Sequence, residues 1–139
     1  MVSAWLALDD VDESNGCMSM VPGSHRWGRR WTDYLSTLTA WEQLGEGFTS
    51  PDGRPVQPTL WPVPRGGVSF HHGLTWHGSH ANTSGRPRRA IALHYMDAAT
   101  PYVAAGEHLM KTFVESADGE PVAGARFRLV WDQGRAVAA

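Results

Sequence analysis

Glycine and proline cut this chain into short segments, 15 Gly and 9 Pro among 139 residues. The apolar residues between them gather into brief strand-like runs at 2–8, 17–21, 59–63, 67–72, 76–80 and 88–96, with a last one near 125–131. Asn15-Gly16 is the strongest turn signal in the acidic stretch 9–16, and Pro22-Gly23 breaks the second run. A short helix is predicted over 37–44. The Gly/Pro-rich stretch 45–58 is long enough to act as a loop or lid. Many short strands separated by such turns predict a mainly β sandwich or barrel rather than a parallel sheet. At this length, one domain over 1–139 can bury a real core.

Charge and cysteine usage narrow the function classes. A formal net charge of −2 leaves no electrostatic footprint for nucleic acid or an anionic membrane. Eleven Arg against one Lys favour local grips on carboxylate or phosphate. The single cysteine, Cys17, excludes an intrachain disulfide and fits a reducing compartment. Asp9 and Asp10 interrupt the first apolar run, so it lacks a signal-peptide layout. No apolar stretch approaches the roughly 20 residues of a membrane span. The expectation is a soluble, cytoplasmic protein acting on a small molecule, with its oligomeric state open.

The chemistry concentrates in "LTWHGSHANTSGRPRRA", residues 74–90. His77 is a candidate metal ligand, Ser79 a hydroxyl close by, and Arg86, Arg88 and Arg89 follow a turn-like segment. If 76–80 and 88–96 form a hairpin closed by 81–86, Ser79 lies opposite Arg88. His77 and Ser79 share a face because side chains alternate along a strand, and a directly opposed residue points the same way. Small Ala90 and Ala92 continue that face and leave room for a ligand, while Ile91, Leu93 and Tyr95 on the other face read as packing. A molecule bound at a metal beside His77 could then extend a far carboxylate to Ser79 and the rigid fork of Arg88.

The stretches "NGCMSMVPGSHRWG" (15–28), "GGVSFHHGLTWHGSHANTS" (66–84) and "RPRRAIALHYM" (86–96) resemble the C-terminal half of the phytanoyl-CoA dioxygenase family. The resemblance covers residues 2 to about 97. It implies a double-stranded β-helix, a cupin-like jelly roll, here incomplete at its N-terminus, with Fe(II) as cofactor and 2-oxoglutarate as cosubstrate. In that pattern the distal histidine, in an H-G-S context, falls on His77 as metal ligand. The arginine eleven residues later falls on Arg88 and the serine on Ser79, both as 2-oxoglutarate-binding residues. Asn82 matches as loop structure. One departure is plain: the family's His-x-Asp pair is absent, since the chain holds no His-x-Asp or His-x-Glu. The 2-His-1-carboxylate set is therefore incomplete. Two explanations follow, a piece of a longer oxygenase or a shortened homologue that has lost iron chemistry; the first is the expectation, inactive alone and binding Fe(II) poorly, with an open apolar concavity beside His77.

Other residues have plainer readings. Arg86 and Arg89 are expected in solvent. His71, His72, His77 and His80 invite a structural zinc site, but such sites usually close with four ligands and often use cysteine. His71 and His72 point to opposite faces of one strand. His25 is expected to cap or bond a loop, Cys17 to be a small core residue, and Trp5, Trp27, Trp31, Trp61 and Trp76 to pack, with Trp27 and Trp31, near the possible lid, open to either packing or a substrate platform. Two function classes follow. One is an Fe(II)- and 2-oxoglutarate-dependent dioxygenase hydroxylating a small organic molecule. The alternative is a non-catalytic cupin-like domain that binds a small carboxylate or serves in an interaction.

Overall fold

The computed structural model describes residues 1–28, 49–50 and 53–137, in two compact units, Met1–Tyr95 and Met96–Ala139. The helix expected at 37–44, Trp31 and most of the first half of the 45–58 loop lie outside the described residues. The architecture is mainly β and antiparallel. Among the described residues no helix is long and apolar enough to cross a membrane.

The first unit is built on β1 (Val2–Ala7), whose almost wholly apolar sequence suits a strand paired on both sides. It lies between β4 (Val68–His72) and β6 (Ala90–Tyr95) in the order β4-β1-β6. The register sets Ser3 opposite His71 and His94, and Trp5 opposite Ser69 and Ala92. Alternation therefore puts Ser3, Trp5, Ala7, Ser69, His71, Ala90, Ala92 and His94 on one face. A second sheet, in the order β3-β2-β5, joins β3 (Thr59–Trp61), β2 (Met18–Met20) and β5 (His77–Ser79).

The inner faces of the two sheets meet. Ala7, Val11, Cys17 and Val63 form a buried cluster with Trp5 packed against it, and an isolated bridge pairs Val11 with Val63. Met18, Met20, Val21 and Trp76 are also buried. Cys17 is a core residue, and burial pushes its thiol pKa up, as for an inert cysteine. Trp76 packs as expected, Trp5 and Trp27 are half-buried, and Trp61 is exposed.

Two expectations change here. The segments 76–80 and 88–96 are not arms of one hairpin: β5 pairs with β2 and β6 with β1. Residues 80–89 instead carry the chain from one sheet to the other, because β1 offers β6 a full apolar partner while β2 takes β5. The exposed apolar surface also lies elsewhere than expected. Phe70 is 68 % exposed, and Val68, Ile91, Leu93 and Tyr95 are 40–46 % exposed, all on the outer face of the first sheet, away from His77. Ile91, Leu93 and Tyr95 thus occupy the expected face without being buried.

The second unit holds a 3₁₀ turn (Lys111–Phe113) and a small hairpin of β7 (Trp131–Asp132) and β8 (Arg135–Ala136). Arg126 stacks its guanidinium 4.1 Å from the Phe113 ring centroid. Of the strand expected near 125–131, only Trp131 is in a strand. Residues 125–130 form turns and irregular backbone instead.

Candidate functional site

The crossing segment 80–89 is fixed from below by the turn 9–16. Asn15 is fully buried; its Oδ1 accepts from the Asp12 N–H at 2.8 Å, and its Nδ2 donates to the carbonyls of Asp10 at 2.8 Å and Pro87 at 3.4 Å. Gly16 follows at φ +81°, where a Cβ would sit 2.7 Å from the His80 carbonyl oxygen, so only glycine lets the segments approach this closely. The Thr83 N–H donates to the Ser14 carbonyl at 3.0 Å. Asn82 has the loop role expected of it: its Nδ2 donates to the Arg86 carbonyl, and its Oδ1 accepts from the Ser84 N–H and hydroxyl.

Arg86 and Arg89 are exposed, yet each is held by an acid, which the sequence reading did not foresee. Arg86 pairs with Asp12 at 2.6 Å and Arg89 with Asp9 at 2.7 Å. The Arg89 side-chain bond holds the Asp9 pKa down to about 2, from an ordinary 3.8. The Ser14 hydroxyl, then Arg86, hold Asp12 at about 2. Depressed carboxylate pKa values contribute stability that is complete above about pH 4 and lost as pH falls through 2. Urea midpoints should therefore drop between pH 4 and 2. The double variant Asp9→Asn, Asp12→Asn should show a shallower drop over that window.

These two outward clamps flank Arg88, which turns the other way. It is half-buried, with its guanidinium carbon 5.8 Å from the Trp5 ring centroid, on the Ala90–Ala92 side of the sheet. His77 and Ser79 share one face of β5, opposite Met20 and Met18. The His77 ring lies 4.9 Å from that of His71, which belongs to the Trp5 face. His77, Ser79 and Arg88 therefore look into the same inter-sheet space from opposite sheets.

The tautomer of His77 follows from its contact. Its Nδ1 is 2.8 Å from the Thr75 carbonyl oxygen, which can only accept. Nδ1 therefore carries the proton, and the Nε2 lone pair is free to ligate, in the manner of metal-bound histidines. Around it the inner face is polar. Burial, then His77 and His94, lower the pKa of His71, disfavouring its charged form. The His71 Nδ1 and Ser69 Oγ are buried without a partner among the described residues, and His94 Nδ1 lies 2.9 Å from the Ser3 hydroxyl. Orphan polar atoms of this kind are rare in a packed core and common in sites. Sequence reasoning takes His71 only as a structural zinc candidate and does not weigh His94, because the sheet that joins β4 and β6 through β1 is not visible in one sequence. His72 faces the other side, its ring 5.4 Å from that of His25, which sits in the 3₁₀ turn Ser24–Arg26. Among the described residues no three His, Cys, Asp or Glu side chains converge to hold a metal. His77 fits one coordination position and the described chain does not complete the set.

The family described as phytanoyl-CoA dioxygenase matches residues 1–90. A phytanoyl-CoA dioxygenase domain-containing protein 1 homolog from Caenorhabditis briggsae is 32 % identical over 101 residues, covering 70 % of this chain and 35 % of the relative. The peroxisomal phytanoyl-CoA dioxygenase of Bos taurus is 31 % identical over 103 residues, 74 % of this chain and 30 % of that one. Among solved structures, the epimerase SnoN in complex with Fe3+, alpha ketoglutarate and nogalamycin RO superposes with a TM-score of 0.65 at 33 % identity, covering 91 % of this chain and 48 % of that one. The non-heme alpha ketoglutarate dependent carbocyclase SnoK gives 0.62 at 31 %, covering 88 % and 46 %. The fold is thus the jelly roll of such enzymes. The chain spans about a third of the length of these curated relatives and just under half of these solved chains.

Proposed function

Because the chain belongs to the phytanoyl-CoA dioxygenase family, we propose that it is the distal-histidine and cosubstrate-binding part of an Fe(II)- and 2-oxoglutarate-dependent dioxygenase that hydroxylates a small organic molecule. The observation that carries this reading is His77, whose Nδ1–H is committed to the Thr75 carbonyl so that Nε2 is presented as a ligand. When bound, iron supplies the activation of O2, coupled to oxidative decarboxylation of 2-oxoglutarate.

The chain's own residues bind and orient. Arg88 takes the far carboxylate of 2-oxoglutarate through two parallel charge-assisted bonds, and the Ser79 hydroxyl donates a third. Trp5 holds the Arg88 guanidinium by its ring face, and the paired outer arginines keep the crossing segment from rotating Arg88 outward. Ala90 and Ala92 leave the space the cosubstrate needs. The two remaining ligands come from outside the described residues. The compartment we favour is the cytoplasm, on the strength of the lone, buried Cys17.

The test is complementation with the N-terminal half of a relative that carries His-x-Asp. The mixture should consume 2-oxoglutarate in an Fe(II)-dependent manner, and His77→Ala should reduce the rate by roughly 10²-fold or more, the order seen when a group needed for catalysis is removed. Binding of 2-oxoglutarate without any such turnover would favour a carboxylate-binding domain instead.

A further inference from the structure

We infer that the cleft at the edge of the second sheet is the organic-substrate site and that it selects a substrate carrying an anionic group on a flat apolar body. This rests on the reading of His77 as the metal ligand. The cleft has a volume of about 770 Å³, inside the usual range for small-molecule sites, and Val21, Arg26, Trp27, Arg54, Val56 and Gln57 line it.

Its position follows from the sheet. Thr59, also on its wall, and His77 are the two neighbours of Met20 on β3 and β5. Adjacent strands are about 4.8 Å apart, so the Thr59 backbone runs roughly 10 Å from that of His77, and the inferred substrate lies across that span.

The walls are also rigid and chemically specific. Val21 and Val56 are buried and give an apolar floor. The Ser24 hydroxyl donates to the Val21 carbonyl at 2.7 Å and accepts from the Trp76 N–H at 2.8 Å, tying the 3₁₀ turn to the residue before His77. Trp76 holds Trp27 edge to face, with centroids 5.1 Å apart. The Trp27 indole is thereby a fixed platform. Arg26 and Arg54 border the same cleft, and Arg26 makes no ion pair with any carboxylate of the described residues. A guanidinium left in this way beside an apolar floor suits a carboxylate or phosphate.

Three probes with one flat body test this: 2-naphthoate, 2-naphthyl phosphate and neutral 2-naphthol, each titrated into the 139-residue protein and read by amide and indole NMR shifts. At least one anion should bind about tenfold or more tighter than naphthol and move the Trp27 indole N–H, its preference between carboxylate and phosphate identifying the substrate's charged group. Arg26→Gln, at an exposed position, should remove that advantage while leaving naphthol and 2-oxoglutarate binding as they were. Equal affinity for all three, shifts remote from Trp27, or naphthoate binding lost in Arg88→Gln rather than Arg26→Gln would overturn the inference. Anion binding at Trp27 without any response to 2-oxoglutarate would leave the cleft standing and sink the oxygenase reading. The reverse pattern would do the opposite.

Discussion

Replacing Arg88 by Gln should weaken 2-oxoglutarate binding by about 10- to 100-fold and change the unfolding free energy little. A hydrogen bond to a charged group is worth roughly 1.5–3 kcal/mol, and the fork makes two toward one carboxylate. The packing that Gln forfeits is smaller. The Arg88 guanidinium carbon lies 5.8 Å from the Trp5 ring centroid, a contact worth about 0.5–1 kcal/mol near a surface. Arg88→Lys should recover only part of the affinity, since a point charge cannot make the bidentate grip. Calorimetric titration with 2-oxoglutarate, paired with urea unfolding, separates the two effects. A loss of folding as large as the loss of binding would make Arg88 a structural residue.

The largest stability effect is expected at Asn15 rather than at any apolar residue of the turn. Asn15→Ala removes the acceptor for the Asp12 N–H and the donor to the Asp10 and Pro87 carbonyls, all at a fully buried position. Orphaned buried groups cost about 1–3 kcal/mol each, so a loss of roughly 2–4 kcal/mol is expected from urea unfolding. The bond to Pro87 adds a functional consequence, because that carbonyl immediately precedes Arg88. At temperatures where the variant is still folded, 2-oxoglutarate affinity should fall as well. Stability within about 0.5 kcal/mol of wild type would contradict the account of how the crossing segment is held.

The residues that could be read directly from the sequence are those whose signal is local. Gly16 and Pro22-Gly23 mark turns by backbone chemistry alone, and the period-2 pattern from Ala90 to Tyr95 assigns faces without any partner. That alternation put Ala90 and Ala92 on one side and Ile91, Leu93 and Tyr95 on the other, as the register with β1 confirms. Pairing is not local. The proximity of β5 and β6 in sequence argued for a hairpin, but the ten residues between them bridge two sheets, a choice set by the partners β1 and β2 offer elsewhere in the chain. For the same reason the Asp9–Arg89 and Asp12–Arg86 pairs, each more than seventy residues apart, left no trace that a single sequence could show. The sequence offers His71 beside His77 only as a zinc candidate, and the place of His71 and His94 in one sheet needs the pairing of β4 and β6 with β1. The missing metal ligands have no signal of any kind in these residues.

The central claim is that His77 and Arg88 hold metal and 2-oxoglutarate in one shared site. Reciprocity makes it measurable, since two coupled ligands change each other's affinity by the same factor, and a 2-oxoglutarate that chelates the metal makes that change a gain. Paramagnetic Mn(II) titrated into the 139-residue protein, with and without 2-oxoglutarate, reads both binding and location through NMR line broadening. A single imidazole holds a divalent ion weakly, so the account predicts faint broadening around His77 and His71 with Mn(II) alone. With 2-oxoglutarate the same signals should broaden at about tenfold lower metal concentration, and His77→Ala or Arg88→Gln should each abolish the gain. Broadening centred on His25 and His72, or an Mn(II) affinity indifferent to 2-oxoglutarate, would contradict it.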